Sequence, residues 1–481
     1  MKWQEILFEF RQICAIPHAS NRERELRCYL EKRLREKAAF LRCDAAGNLM
    51  AKFPASETAA PDAPAVILQA HMDMVVAGEK PPEAAAVRVR QVDGWLETDG
   101  QTSLGADNGI GISIILALLK RPELVHGPLY VLFTVAEEVG LKGASRVPRE
   151  FLNEARYLIN LDGFHADTVM VGCKGGLREH LWYPIRWQTA PAGGVAFRIR
   201  LEGFPGGHSG DDIDRGRCNT IRMLARLLQG AWARFPNISV SDLSGGIGFN
   251  VIPAACAADV VLPVGEAAAF AAAVREEGRR MLLPYWDSDG QGRLEIETIP
   301  YPEACWTGST QRDILRVLTL LTDGVAQRDG EGAVSASCNM GHVYMTGDVF
   351  HIEDMLRCDT AVQETAILQR HMAVAGAAGF RRHVAGYHSW HGRREGRLLR
   401  VVEEVYRTQH DGGPMQVKTA LVGVEPAYFQ EKAPELEMIC LGADIENAHS
   451  VRERVSCDSA AALSNLLEKT LHILAGGSSD G

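Results

Sequence analysis

Three things are scarce in this sequence, and each scarcity narrows what the chain can be. Long apolar runs are absent: the longest stretches, such as Gly111 to Leu119, fall far short of the ~20 residues that a membrane span needs. Positive charge is in deficit. A formal net charge of −10 argues against general nucleic-acid binding, which needs a basic face, and against electrostatic docking on an anionic membrane. Paired cysteine spacing is missing as well. The eleven cysteines run from Cys14 to Cys457 with no Cys-x-x-Cys among them, unlike a disulfide framework or a zinc ribbon. Reduced thiols serving as small core residues of a cytoplasmic protein fit this count. The opening Met1-Lys2-Trp3-Gln4-Glu5, with Glu9 close behind, has no apolar segment of the secretory kind, and no repeat of solenoid or propeller period occurs.

What is present belongs to an ordinary globular chain, 46% hydrophobic and 23% charged over 481 residues, long enough for about two to four domains. Trp3, Ile6, Leu7 and Phe10 recur at helical spacing, and Arg22 to Lys37 forms a second amphipathic run with Asn21 as its cap. Short apolar strands at Asn48–Phe53, Ala65–Ala70, Leu129–Val135 and Leu158–Leu161, with a helix at Asn108–Lys120, indicate an α/β layer architecture. Near residue 187 the texture changes. Val195, Phe197, Ile199 and Leu201 alternate with polar partners, as in a half-buried antiparallel strand. Helices at Asn219–Phe235 and Glu266–Met281 and strands near Gly248–Val261 and Arg293–Ile299 follow in ferredoxin-like order. A helix at Arg397–Gln409, a strand at Leu436–Leu441 and a helix at Cys457–Ala475 restore the first style, and Gly476–Gly481 reads as a disordered tail. The expected organisation is an α/β domain of residues 1–186 and 386–481, with helices on both sheet faces, interrupted by an α+β insert of residues 187–385.

Acidic and histidine residues gather where these strands end. His71 and Asp73 point the same way on an extended segment, and a carboxylate beside a histidine fixes its tautomer for metal ligation; a surface His–Asp pair would look the same. Asp107 opens the apolar helix, where it could equally cap it. Glu137 and Glu138 sit at the mouth of a buried strand, a costly pair unless a cation or proton resolves the repulsion. Asp162 ends another strand, and His449 lies beyond Leu436–Leu441. A pair of zinc ions ~3.5–4 Å apart needs histidine and carboxylate ligands, one of them bridging, and a free carboxylate as base. This set supplies all of these roles.

The segments His71-Met72-Asp73-Met74-Val75, Thr102-Ser103-Leu104-Gly105-Ala106-Asp107-Asn108-Gly109, Glu137-Glu138-Val139-Gly140 and Ala448-His449-Ser450 strongly resemble the aminoacyl-histidine (Xaa-His) dipeptidases. These belong to a wider metallopeptidase family with carnosinases, tripeptidases and acetylornithine deacetylases. The resemblance implies a zinc-peptidase-like catalytic domain with an inserted lid of ferredoxin-like lobes, and two zinc ions per chain, with manganese or cobalt as substitutes. His71, Asp107, Glu138, Asp162 and His449 would be ligands, Asp107 bridging; Asp73 would orient His71, and Glu137 would be the general base. In the insert, His208 of Gly206-Gly207-His208-Ser209-Gly210 matches the family's oxyanion-stabilising histidine and Asn250 of Asn250-Val251-Ile252-Pro253 its substrate-backbone asparagine. Arg357 matches the arginine that grips the peptide carboxylate. The plainer alternatives are a loop histidine, a turn asparagine and a surface ion-pair arginine.

Four stretches depart from that family. Asp162-Gly163-Phe164-His165 stands for Asp-Ser-Glu-Glu or Asp-Thr-Glu-Glu, and Leu421-Val422-Gly423-Val424-Glu425-Pro426-Ala427 for His-Ala-Gly-Leu-Glu-Cys-Gly. Arg357-Cys358-Asp359 replaces Arg-Ser-Ser, and His388-Ser389-Trp390 replaces Pro-Gly-Trp. None touches the five expected ligands; substrate choice is what they bear on. The expected activity is hydrolysis of dipeptides, the substrate being the only expected partner besides a second copy in a homodimer. Two other readings stand beside it: a deacylase of N-acyl amino acids using the same site, and a silent binding protein that keeps the fold.

Overall fold

The computed structural model describes residues 2–79, 81, 86–420 and 422–477; Leu421 and residues 478–481 of the tail lie outside the described residues. The chain forms two compact units, Met1–Cys173 with Trp390–Gly481, and Lys174–Ser389.

The first unit is built on a nine-stranded sheet. Its centre is four strands that run parallel: Leu129–Thr134, Val66–His71, Tyr157–Gly163 and Glu437–Gly442, in that spatial order. Parallel central strands are covered on both faces and read as near-continuous apolar runs; every residue of Val66–His71 and of Glu437–Gly442 is buried. The strand period of two divides the covering. Val66, Leu68 and Ala70 join the core formed with the helices Lys2–Cys14, Ala106–Lys120 and Cys457–Leu474. Gln69, on the other face, meets Glu425 at the head of the helix Pro426–Lys432.

Two local expectations change. Asn21 does not cap the second helix, which runs Arg24–Arg35 behind Glu23. Asn21 instead adopts a left-handed turn (φ 66°) and its N–H donates to Glu23 Oε1 at 2.9 Å. The helix expected from Asn108 starts at Ala106, but Asp107 and Asn108 leave the helical path (ψ 104° and 28°), so the regular spiral begins after them.

The second unit holds two ferredoxin-like lobes, one nested in the other. The inner lobe is Gly194–Glu202, helix Thr220–Arg234, Ser239–Gly246, Cys256–Pro263, helix Ala267–Leu282 and Arg293–Ile299, with the spatial strand order fourth, first, third, second. Asn219 caps its first helix, its side chain accepting from the N–H groups of Ile221 and Arg222, worth ~1 kcal/mol. The outer lobe takes its first strand from Gly175–Pro184 and its remainder from the helix Gly308–Leu320, the hairpin Val334–Thr346 and Val349–Cys358, helix Ala361–Ala377 and Arg381–Tyr387. Pairing of Gly245 and Gly246 with Val343 and His342 joins both lobes into one sheet. The strand Gly175–Pro184 lies before the change of texture near residue 187, yet its partners are Val349–Cys358 and Arg381–Tyr387, so it belongs with the second unit.

Candidate metal centre

Because the four central strands are parallel, their carboxyl ends share one edge of the sheet, the place where open α/β sheets gather ligands. His71 closes its strand, Asp162 lies one residue from the end of its own, and Glu137 and Glu138 follow Leu129–Thr134 directly. His449 comes from the loop beyond Glu437–Gly442. Gly163 has a packing reason to be glycine: a Cβ there would stand 2.8 Å from the backbone N of Gly442 on the neighbouring strand.

Asp107 is the hub. Its Oδ1 lies 2.8 Å from His71 Nε2, and its Oδ2 lies 3.0 Å from His449 Nε2. Asp162 Oδ1 is 3.3 Å from the same His71 nitrogen, and Glu138 Oε1 is 2.8 Å from that of His449. The ligand atoms thus fall into three overlapping ion-sized groups, His71–Asp107–Asp162, Asp107–Glu138–His449 and His71–Glu137–Glu138; the first two share the Asp107 carboxylate. The helix-cap alternative for Asp107 is not what the fold does, since the helix has no side-chain cap. The Nδ1–H of His71 donates to the Asp73 carbonyl at 2.9 Å, so Nε2, which faces Asp107 and Asp162, is the nitrogen an ion would take once its proton is released. The Asp73 carboxylate lies 3.6 Å from that ring and has a second task. It accepts the N–H groups of Glu137 and Glu138 at 2.9 and 3.2 Å and the Ser20 hydroxyl at 2.8 Å. Ala136, just before them, is held at a positive φ of 51°, with its N–H bound by Glu23, a strained position of the kind found where side chains are aimed at a site.

Electrostatics mark the same cluster. Burial lowers the His71 imidazole, but Asp162 and Asp107 outweigh it and hold the ring well above its ordinary value. Hydrogen bonds to Asp107 and Glu138 push His449 up to about 10. Burial, with Asp107 and Glu425 adding to it against His71, pushes Asp162 up to about 7. Burial also raises Glu137 well above the carboxylate range, with Asp162, Glu425 and Glu138 reinforcing it. Five carboxylates and two imidazoles crowded at one edge carry more negative charge than their burial tolerates, and divalent cations resolve that excess. Two imidazole nitrogens among carboxylate oxygens, in two groups with a shared bridge, fit two such ions.

Sequence reasoning missed the supports of this site. Asn108 Nδ2 donates to Asp162 Oδ1 at 3.0 Å. Glu453 receives the N–H groups of Leu104, Gly105 and Asp107, and burial pushes it up to about 7. Behind the edge runs a buried chain of polar groups. Asn160 donates to Gln69 at 2.6 Å, and Gln69 and the Thr134 hydroxyl both donate to Glu425, which burial raises to about 7. Period two gave a signal for Gln69, Asn160 and Thr134, all on the face of their strands turned from the apolar core; Glu453 left none.

The second unit brings its three expected residues together as well. Gly207–His208 pairs with Val251–Ile252, and Ser209 N–H donates to the Asn250 carbonyl at 2.9 Å. Arg357 is buried rather than superficial. Among the described residues, the groups within its hydrogen-bonding reach are His208 Nε2 at 3.4 Å and Ser209 Oγ at 3.5 Å, neither of them an anion. Cys338, Asp354 and His371 also bring donor atoms close in this unit. There the Thr322 N–H donates to His371 Nε2 at 2.9 Å, so Nδ1 keeps its proton and gives it to Glu179 at 2.6 Å; that ring offers no free lone pair to an ion.

Such a cluster at the carboxyl edge of an α/β sheet has the donor set that metal-dependent hydrolases use. The chain matches the model of peptidase family M20/M25/M40 over residues 67–473 and belongs to that family; it is a metallopeptidase, acting on peptide bonds. It is 28% identical over 471 residues to the cytosol non-specific dipeptidase of Escherichia coli (strain K12), covering 96% of each chain. Aminoacylhistidine dipeptidase from Vibrio alginolyticus superposes with a TM-score of 0.85 at 25% identity, over 98% of this chain and 96% of that one. The aminopeptidase PepT from Bacillus cereus ATCC 10987 shares the fold, with a TM-score of 0.58 at 15% identity over 98% and 99% of the two chains.

Proposed function

We propose that this chain is a dipeptidase that works with two zinc ions. The observation that carries the reading is the Asp107 carboxylate, each of whose oxygens faces the Nε2 of a different histidine. His71 and Asp162 would hold one ion, Glu138 and His449 the other, and Asp107 both. When bound, the ions supply Lewis acidity and lower the pKa of water toward neutrality. Glu137, raised by burial and by its acidic neighbours, takes a proton from the attacking water and returns it to the leaving amine. Asp73 keeps Glu137, Glu138 and His71 in register through the contacts already described. His208 steadies the oxyanion, Asn250 the substrate backbone, and Arg357 the free carboxylate. The whole-length likeness to a relative named as a dipeptidase supports the substrate class. A cytoplasmic setting is supported by that relative's name and by the cysteines, all but Cys28 and Cys43 of which are buried. Among the described residues no helix is long and apolar enough to cross a membrane.

A panel of unblocked dipeptides and N-acyl amino acids, assayed with zinc and with a chelator, tests this directly. Dipeptides are expected to turn over in a chelator-sensitive way. Turnover of the acylated amino acids alone would transfer the site to deacylation, and no turnover of either would favour a silent binder. Arg357 gives a sharper check on recognition. Its guanidinium is buried without an anion among the described residues, a costly state that a substrate carboxylate relieves. Arg357→Ala is expected to raise KM for a dipeptide by ~10–100-fold, the ~2–3 kcal/mol of a charge-assisted contact, and to leave its C-terminal amide nearly unaffected. Equal damage to acid and amide would move the carboxylate grip elsewhere.

A further inference from the structure

The entrance to the helix Ala106–Lys120 raises a question of satisfaction. A helix start leaves its first N–H groups without partners inside the helix, and the residue at the N-cap here, Gly105, has no side chain to cap them. The loop into it is tightly turned, with Gly105 left-handed at φ 69° and Asp107 and Asn108 off the helical path. One carboxylate reaches three amides along this entrance. Glu453 Oε2 accepts the N–H of Leu104 at 2.8 Å and of Gly105 at 2.9 Å, and Oε1 accepts that of Asp107 at 3.2 Å. Glu453 is only 2% exposed, so water has little part in these bonds.

Where Glu453 comes from gives the arrangement its meaning. It follows His449 in the same tight loop, with its own N–H donating to the Ser450 carbonyl at 3.1 Å. That loop therefore touches Asp107 twice: through the ring of His449 on the Asp107 carboxylate, and through Glu453 on the Asp107 backbone. The two contacts close a loop of bonds around the shared ligand. We propose that Glu453 is a positioning residue, which sets the Asp107 carboxylate at a fixed place relative to His449 and so spaces the two ions. This rests on the two-ion reading of the site.

The test compares Glu453→Gln and Glu453→Ala with the wild-type protein. Far-UV circular dichroism and thermal unfolding establish that each variant folds. Hydrogen exchange of the metal-free protein then reads the Leu104, Gly105 and Asp107 amides, calorimetric zinc titration reads stoichiometry and affinity, and steady-state kinetics on one dipeptide reads kcat and KM. Glu453→Gln keeps one carbonyl oxygen for the loop, so a graded response is expected, with Ala more severe than Gln. Exchange at the three amides should quicken, zinc affinity should fall ~10–100-fold, the range of lost outer-shell partners, and kcat should fall with KM within about twofold. If the wild-type protein takes up two ions and both variants do so with unchanged affinity, the positioning role is overturned while the two-ion reading stands. A fall in melting temperature alone, with uptake and kcat intact, overturns it equally, since Glu453 would then only stabilise the fold. A wild-type protein that takes up fewer than two ions overturns the two-ion reading itself.

Discussion

On the proposed two-ion reading, Glu137→Gln is expected to retain metal and to lose ~10²–10⁴-fold in kcat, the share of a positioned general base. Its neighbour behaves differently. Glu138 Oε1 is 2.8 Å from His449 Nε2 and joins Asp107 and His449 in one candidate ligand group, so Glu138→Gln is expected to lower metal content first and activity as a consequence. The two side chains are adjacent in sequence and both backbone N–H groups are tied to Asp73, which makes them a matched pair: the same substitution, in the same turn, with different outcomes. What separates the roles is environment. Burial raises Glu137 most, and Asp162, Glu425 and Glu138 keep it raised, so it can carry a proton at a pH where an exposed carboxylate would not. Zinc content by elemental analysis, read beside kcat for both variants, decides it. Equal loss of metal from the two would remove the distinction between base and ligand.

Asp107→Ala is expected to cost both ions, with affinity falling at each position by more than the ~10–100-fold typical of an outer-shell change. The reason lies in the double contact: each oxygen of Asp107 faces a different histidine, so its loss removes a ligand atom from both groups at once. Proton linkage gives a second readout. In the metal-free site His71 is held well above its ordinary value and His449 is raised to about 10, so at neutral pH both rings hold protons. Ions compete for those nitrogens, and uptake releases protons; apparent zinc affinity therefore rises with pH through the neutral range and falls as pH drops. Calorimetry in buffers of different ionisation enthalpy measures the release directly. A variant that keeps two ions with unchanged affinity would exclude Asp107 from the centre.

The cluster at the sheet edge was legible because strands announce themselves by apolar runs, and polar residues just past such a run have few other reasons to be there. Asp107 was the ambiguous member: a carboxylate opening an apolar helix is a cap in most chains, and only the non-helical turn at Asp107 and Asn108 turns it to the histidines. Glu453 was illegible for a physical reason. In Arg452-Glu453-Arg454 it reads as solvated alternating charge, and only tertiary packing brings it to amides near residue 105. The nested lobe was hidden in the same way. The strand Gly175–Pro184 pairs with segments far along the chain, and local alternation carries no record of a partner so distant. Asn21 failed through a competing local preference, since asparagine tolerates the left-handed turn it adopts as readily as it caps a helix.

The strand Glu437–Gly442 lies between Tyr157–Gly163 and Thr168–Cys173 in the first unit's sheet. That arrangement sets an order of assembly during synthesis. At about 5–20 residues per second, the ribosome delivers the whole of Lys174–Ser389, a continuous stretch, before the strand that completes the earlier sheet exists. Until then Thr168–Cys173 lacks the strand that joins it to the rest of the sheet. His449 and Glu453 arrive later still. On the proposed site, the centre that His449 would complete is therefore made only near the end of synthesis.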